Sequence, residues 1–97
     1  MSRVDIDNKL ARDQVRKLIG PILREGRFSI SKHAREQMAK RNLIDNDVIN
    51  VLRCGNIHDE GELEKGSWRY RVETGRMIVV VAFRSTEALV VVSAWRK

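Results

Sequence analysis

In the stretch SKHAREQMAKRN, Ser31 to Asn42, the side chains His33, Gln37 and Arg41 recur every four residues. A helix stacks residues at that spacing on one ridge. An imidazole changes its protonation near neutrality, so a histidine on a solvent-facing ridge is suited to proton transfer. Lys32, Arg35 and Lys40 add a basic stripe around it. Further along, Arg69 and Arg71 stand two apart in SWRYRVET, and a strand there puts both guanidinium groups on one face, where they could grip a phosphate in bidentate fashion. Such residues suit an RNA-handling surface. The competing reading is a solvated helix pair over a sheet. In that reading His33 hydrogen-bonds to a backbone carbonyl or an acidic group at the helix–sheet boundary, and the arginines are a wet face.

The elements that must position these groups follow from periodicity. Ser31 suits an N-cap, and a helix over 32–41 places Ile30, Ala34 and Met38 on an apolar ridge beside the His33 ridge. Asn42 tolerates the left-handed conformation that stops it. A third helix takes Asp45 as N-cap, buries Val48, Ile49, Val51 and Leu52, and ends at Gly55 as its C′ residue. Upstream, residues 7–26 carry Ala11, Val15, Leu18, Ile19 and Ile22 at helical spacing, with a kink or break expected at Gly20-Pro21 and an end at Gly26.

After Gly55 the period becomes two. Trp68, Tyr70 and Val72 share one face, expected as core under the helices, and Arg69, Arg71 and Glu73 share the other. The segments RMIVVVAFR and ALVVVSAWR are apolar on both faces and read as central strands, joined to their neighbours at Thr74-Gly75 and Ser85–Ala88. Residues 56–63 allow a short leading strand, and the acidic run DEGELEKG an edge or loop. The expected class is α+β, with N-terminal helices packed on one face of a three- to four-stranded antiparallel sheet and Met77–Phe83 at its centre. A chain of 97 residues fits one domain over 1–97, with a helical region at 1–28 and a core at 29–97.

The net charge is +6, and residues 1–54 hold 12 Lys/Arg against 7 Asp/Glu. A basic helical half attracts phosphates or an acidic protein. Cys54 is the sole cysteine, suits a reducing compartment, and lies at a helix C-terminus where a thiolate is disfavoured, so a structural role is expected. The N-terminus has no apolar signal region and no apolar run is long enough to span a bilayer, so a cytoplasmic protein without membrane contact is expected. His58 near the acidic run fits no regular zinc spacing and reads as solvated or partner-facing. No metal and no cofactor are expected.

The segment SKHAREQMAKRNLIDNDVINVLRCG, then WRYRVETGRMIVVVAF and a closing strand, resembles a bacterial domain family of unknown function. Its pattern is a His-Ala helix, Met, Arg, a second helix ending in Gly, and a Tyr-Arg strand. The family is allied to the RelE/ParE toxin superfamily. The resemblance covers about Ser29–Arg96, with Gln37 where the family often has Arg and Asn42 where it often has Gly. It implies a RelE-like fold for the 29–97 core and neutralisation by a small antitoxin protein; active relatives of that superfamily cut mRNA without metal, often on the ribosome, and others inhibit gyrase or have no known activity.

Metal-free RNA cleavage needs a base for the 2′-hydroxyl, cations for the charge on phosphorus and an acid for the leaving 5′-oxygen. On that chemistry the candidate catalytic residues are His33, Arg41 and Arg71. The candidate nucleic-acid contacts are Lys32, Arg35, Lys40, Arg69, Arg84 and Arg96. The alternative is a non-catalytic protein-binding module that uses an exposed sheet edge and the basic helical face.

Overall fold

The computed structural model describes residues 5–58 and 61–97. Asp59 and Glu60, in the middle of the expected leading strand and acidic run, lie outside the described residues. Among those described, the chain forms α1 (Arg12–Glu25), β1 (Arg27–Ile30), α2 (Lys32–Lys40), α3 (Asp45–Cys54), β2 (Asn56–Ile57), β3 (Glu62–Glu64), β4 (Ser67–Glu73), β5 (Met77–Ser85) and β6 (Ala88–Arg96). The sheet order is β1-β6-β5-β4-β2, and β3 also pairs with β4. The class is α+β, the β4-β5-β6 meander is antiparallel, and β5 is central. No helix among the described residues is long and apolar enough to cross a membrane.

The sheet differs from the expected one in being mixed and six-stranded. Arg27–Ile30 pairs in parallel with β6, from Arg27 opposite Ala88 to Ile30 opposite Val91. Four residues are too few to declare a strand by alternation, and parallel pairing needs a distant partner. The leading strand is split, with β2 pairing at the end of β4 and β3 at its start.

The helix ends are set by hydrogen bonds that compete with helix formation. Residues 5–8 form a turn in which Asp5 accepts from the backbone N–H of Asp7 and from the Asn8 side chain. The first helix therefore starts at Arg12, later than the expected residue 7, with Gln14 accepting from the Ala11 N–H. Pro21 neither breaks nor ends it. The bond that proline removes would fall on the Lys17 carbonyl, on the solvent side of the helix, while Ile19 and Ile22 are locked in the core. At Gly26 a Cβ would collide with the Glu87 carbonyl oxygen, so glycine lets α1 hand over to β1 against the β5–β6 turn.

Ser31 caps α2, accepting from the Ala34 N–H at 3.1 Å, and Asn42 (φ 54°) ends it. The N-cap of α3 is Ile44, where Asp45 was expected. Asp45 is engaged by Arg35, and it is Asp47 that reaches back to the Ile44 N–H at 2.9 Å. Gly55 has φ −74°, so its role is close approach: a Cβ would lie 2.6 Å from the Val51 oxygen and 2.9 Å from the Glu73 oxygen. Arg16 extends from α1 to the C-terminus of α3, donating to the carbonyls of Leu52 and Arg53 at 3.1 Å and to that of Gly55. There it meets orphan carbonyls and the negative end of the helix dipole.

Val15, Ile19, Ala34, Met38, Val48 and Leu52 pack from the helices onto Tyr70, Val72, Val79, Val81, Leu89 and Val91 of the sheet. Each such fully buried aliphatic side chain contributes roughly 1.5–3 kcal/mol. Tyr70 is buried, and its hydroxyl accepts from the Leu10 N–H at 2.9 Å. Burial pushes the Tyr70 hydroxyl pKa up. Trp68 is half-buried, covered by the N-terminal segment through its indole N–H on the Asp7 carbonyl. Among the described residues, the opposite face of the sheet carries no helix. On its β4 edge, Glu73 accepts from the Lys97 ammonium at 2.8 Å and from His58 Nε2, tying the C-terminus and the end of β2 to β4.

Two predictions follow from these contacts. Arg16→Ala strips the cation from three carbonyls, and charge-assisted hydrogen bonds contribute about 1.5–3 kcal/mol. The variant should lose stability on that scale in denaturant titrations, while an exposed control such as Lys17→Ala should not. Lys97 first, and then His58, hold the Glu73 carboxyl down to about 2. A carboxylate with a depressed pKa stabilises fully above its ordinary 4.5 and loses that contribution as pH falls towards 2. The melting temperature of the wild type should therefore fall towards that of Glu73→Gln across this acid window.

Candidate functional site

The expected site residues separate into two basic patches. The first is the outer side of α2, where Lys32, His33, Arg35, Lys40 and Arg41 are all exposed. Arg35 is committed to Asp45, and this pairing holds the Asp45 carboxyl below its usual range. His33 and Arg41 make no side-chain hydrogen bond or ion pair among the described residues, so the boundary hydrogen bond considered for His33 is absent there. Gln37, one turn after His33, turns inward and accepts from the Ala94 N–H of β6 at 3.0 Å. The His33 ridge therefore borders β6, where β1 has ended.

The second patch is the helix-free face of the sheet. Arg69 and Arg71 project there because their neighbours Tyr70 and Val72 point into the core. Arg84 is exposed near the end of β5, while Arg96, exposed at the end of β6, pairs with the core residue Met77 and so falls on the other face from Arg69 and Arg71. Arg71 thus belongs to a different patch from His33 and Arg41. Helix α2 packs on β6, and β4 lies two strands further across the sheet, about 10 Å at ordinary strand spacing.

On the helix-free face, β3, β4, β5 and β6, with His58 just after β2, enclose an open cleft of about 250 Å³. Its basic wall is Arg69 and Arg71, its floor is Val80, and Ser93 and Trp95 close the far side. The Arg71 guanidinium lies 5.7 Å from the Trp95 ring centroid, at cation–π range. It makes no hydrogen bond or ion pair among the described residues. Arg69 pairs with Glu64 at 3.3 Å, and its Nε is buried without a hydrogen-bond partner. Glu62 and Glu64 supply an acidic rim.

His58 also lines this cleft. Its backbone N–H donates to the Arg71 carbonyl at 2.9 Å, which places the two residues side by side. An ionised carboxylate can only accept, so Nε2 is the nitrogen that carries the proton donated to Glu73. That leaves Nδ1 as the proton acceptor of the neutral ring. The imidazole is 40% exposed, so a ligand in the cleft can reach it.

His58 and Trp95 could not be placed here from sequence. Strict alternation along ALVVVSAWR puts Trp95 with Leu89 and Val91, on the core face. The structure pairs Val80 with Ser93 but Val81 with Val91, so Val92 is a bulge and the face flips beyond it. His58 is brought to Glu73 by the Asn56–Glu73 pairing, for which two residues of β2 carry no periodic signal. Cys54, expected to be structural, is exposed on α3. Among the described residues no group of three or more His, Cys, Asp or Glu side chains is placed to hold a metal ion.

A family model described as a domain of unknown function, DUF4258, matches residues 30–96, from the end of β1 to the end of β6. No curated protein and no solved structure matches the chain. The matched range takes in α2, His58, both β4 arginines and Trp95 and covers well over half of the sequence, so the chain belongs to the DUF4258 family.

Proposed function

We propose that this DUF4258 domain is a toxin-like RNA-interacting protein that takes single-stranded RNA on the helix-free face of its sheet. The observation that carries this reading is the Arg71 guanidinium, without a hydrogen bond or ion pair among the described residues, beside the Trp95 ring. Single strands are held by cations that follow the phosphates and by aromatic faces on which bases stack. Arg71 and Trp95 supply one of each within one nucleotide's reach. Gln37 joins α2 to the residue next to Trp95, so a strand that passes round the β6 edge from the cleft comes to the helix that carries Lys32, His33, Lys40 and Arg41. The net charge of +6 acts in the same direction. The likeness to the RelE/ParE superfamily extends the reading to a metal-independent endoribonuclease of the bacterial cytoplasm, acting on mRNA and restrained by a small antitoxin protein.

A second reading rests on the other end of the sheet. Strand β1 is terminal in the sheet order and pairs only with β6 among the described strands, so its outer edge is open to a partner's strand. A non-catalytic protein-binding module would use that edge and the basic helical face.

Binding of a fluorescent single-stranded RNA, titrated over a range of salt, separates the two. The RNA reading expects log affinity to fall linearly with log salt, because phosphate contacts release counterions. Arg71→Ala should reduce that slope by about one. Trp95→Ala should weaken binding by about 1–3 kcal/mol, the usual loss of one stacked base, with the slope unchanged. His33→Ala and Arg41→Ala should lower RNA affinity and leave stability within about 0.5 kcal/mol, because both side chains are exposed. Absence of RNA binding at low salt favours the protein-binding module.

A further inference from the structure

The cleft holds a histidine that phosphate binding does not require. His58 stands beside Arg71, is oriented by Glu73 through Nε2, and lines the cleft with a side chain 40% exposed. Glu73 is in turn held by Lys97 at 2.8 Å on its other oxygen. A carboxylate that fixes an imidazole's tautomer and orientation is the arrangement by which a histidine becomes a directed base.

We infer that His58 is the general base of an RNA-cleaving site in this cleft, with Arg71 as the cation that meets the scissile phosphate and Glu73 and Lys97 as positioning residues. The inference rests on the RNA reading above. In the step, Nδ1 takes the proton of a ribose 2′-hydroxyl, and the 2′-oxygen attacks the adjacent phosphorus. The bond from phosphorus to the 5′-oxygen breaks, and the 5′-oxygen leaves with the electron pair and takes a proton from water. The products are a 2′,3′-cyclic phosphate and a 5′-hydroxyl end. The imidazolium returns its proton to solvent, and no oxidant, reductant or further reactant is consumed. Arg71 offsets the negative charge that grows on the phosphoryl oxygens. Trp95 sets the register by stacking a neighbouring base.

The test uses the full chain, a single-stranded RNA of mixed sequence and its all-deoxy counterpart. The RNA should be cut to 2′,3′-cyclic phosphate ends and the DNA left whole. His58→Gln keeps an N–H donor for Glu73, so it should fold and bind RNA as the wild type does. General acid–base catalysis is typically worth about 10²–10⁴ in rate, and this variant should lose cleavage by that factor. Imidazole in the buffer should restore cleavage to His58→Ala. The wild-type rate should rise with pH through one ionisation and then level off, and His58→Gln should lose that rise. Among the described residues, the charged groups around His58 are Glu73, with Lys97 on its other oxygen, and the cleft-lining Arg71, Arg69, Glu62 and Glu64. RNA that is bound but not cut, or cut equally by His58→Gln, overturns the inference and leaves the binding reading standing. RNA that is not bound overturns both.

Discussion

Val92 has no partner across β5, because Val80 pairs with Ser93 while Val81 pairs with Val91. The cleft depends on that one inserted residue. Without it, Ser93 and Trp95 would lie with Leu89 and Val91 in the core, and Ala94 would face solvent. With it, Ala94 is fully buried and Trp95 stands opposite Arg71. The bulge comes where β1 stops, so the β6 edge there lacks strand partners. Ser31 and Gln37 supply replacements: the Ser31 hydroxyl donates to the Val92 carbonyl at 3.3 Å, and Gln37 accepts from the Ala94 N–H. Both residues belong to α2 or its cap. The helix that carries His33 therefore also fixes the bulge that turns Trp95 outward.

Region 1–28 is part of the same domain rather than an appendage, although the family match begins at residue 30. Val15, Leu18, Ile19 and Ile22 lie in the same core as the sheet. Arg16 closes the end of α3, and Leu10 and Asp7 cover the aromatic side chains of β4 by hydrogen bonds to Tyr70 and Trp68. These contacts cap the two places where α3 and β4 would otherwise present unmet polar groups to a half-dry boundary.

The charged side chains divide by commitment. Arg16 serves a helix end, Arg35 is held by Asp45, Arg69 by Glu64, and Glu73 is shared by His58 and Lys97. Surface ion pairs of this kind add little stability individually. Their consequence is to leave Arg71, in a partly dry cleft, without an ionic partner among the described residues.

The residue pattern alone determined which segments are helical, where Ser31 and Asn42 bound α2, and that Tyr70 and Val72 face away from Arg69 and Arg71. These depend on local periodicity and on hydrogen bonds within three or four residues, which a one-dimensional string records. It also exposed the two histidines and the basic stripe, but ranked His33 over His58 because only His33 sat on a readable element. Tertiary structure decided the parallel addition of β1, the continuity of α1 through Pro21, the split of the leading strand, and the bulge that turned Trp95 round. Each depends on a partner far along the chain: β6 for Arg27–Ile30, the core for Ile19 and Ile22, β4 for Asn56, and Gln37 for Ala94. A hydrogen bond between distant strands leaves no period in the sequence, and the meeting of His58 with Arg71 and Glu73 is made of bonds that cross from the end of β2 to β4.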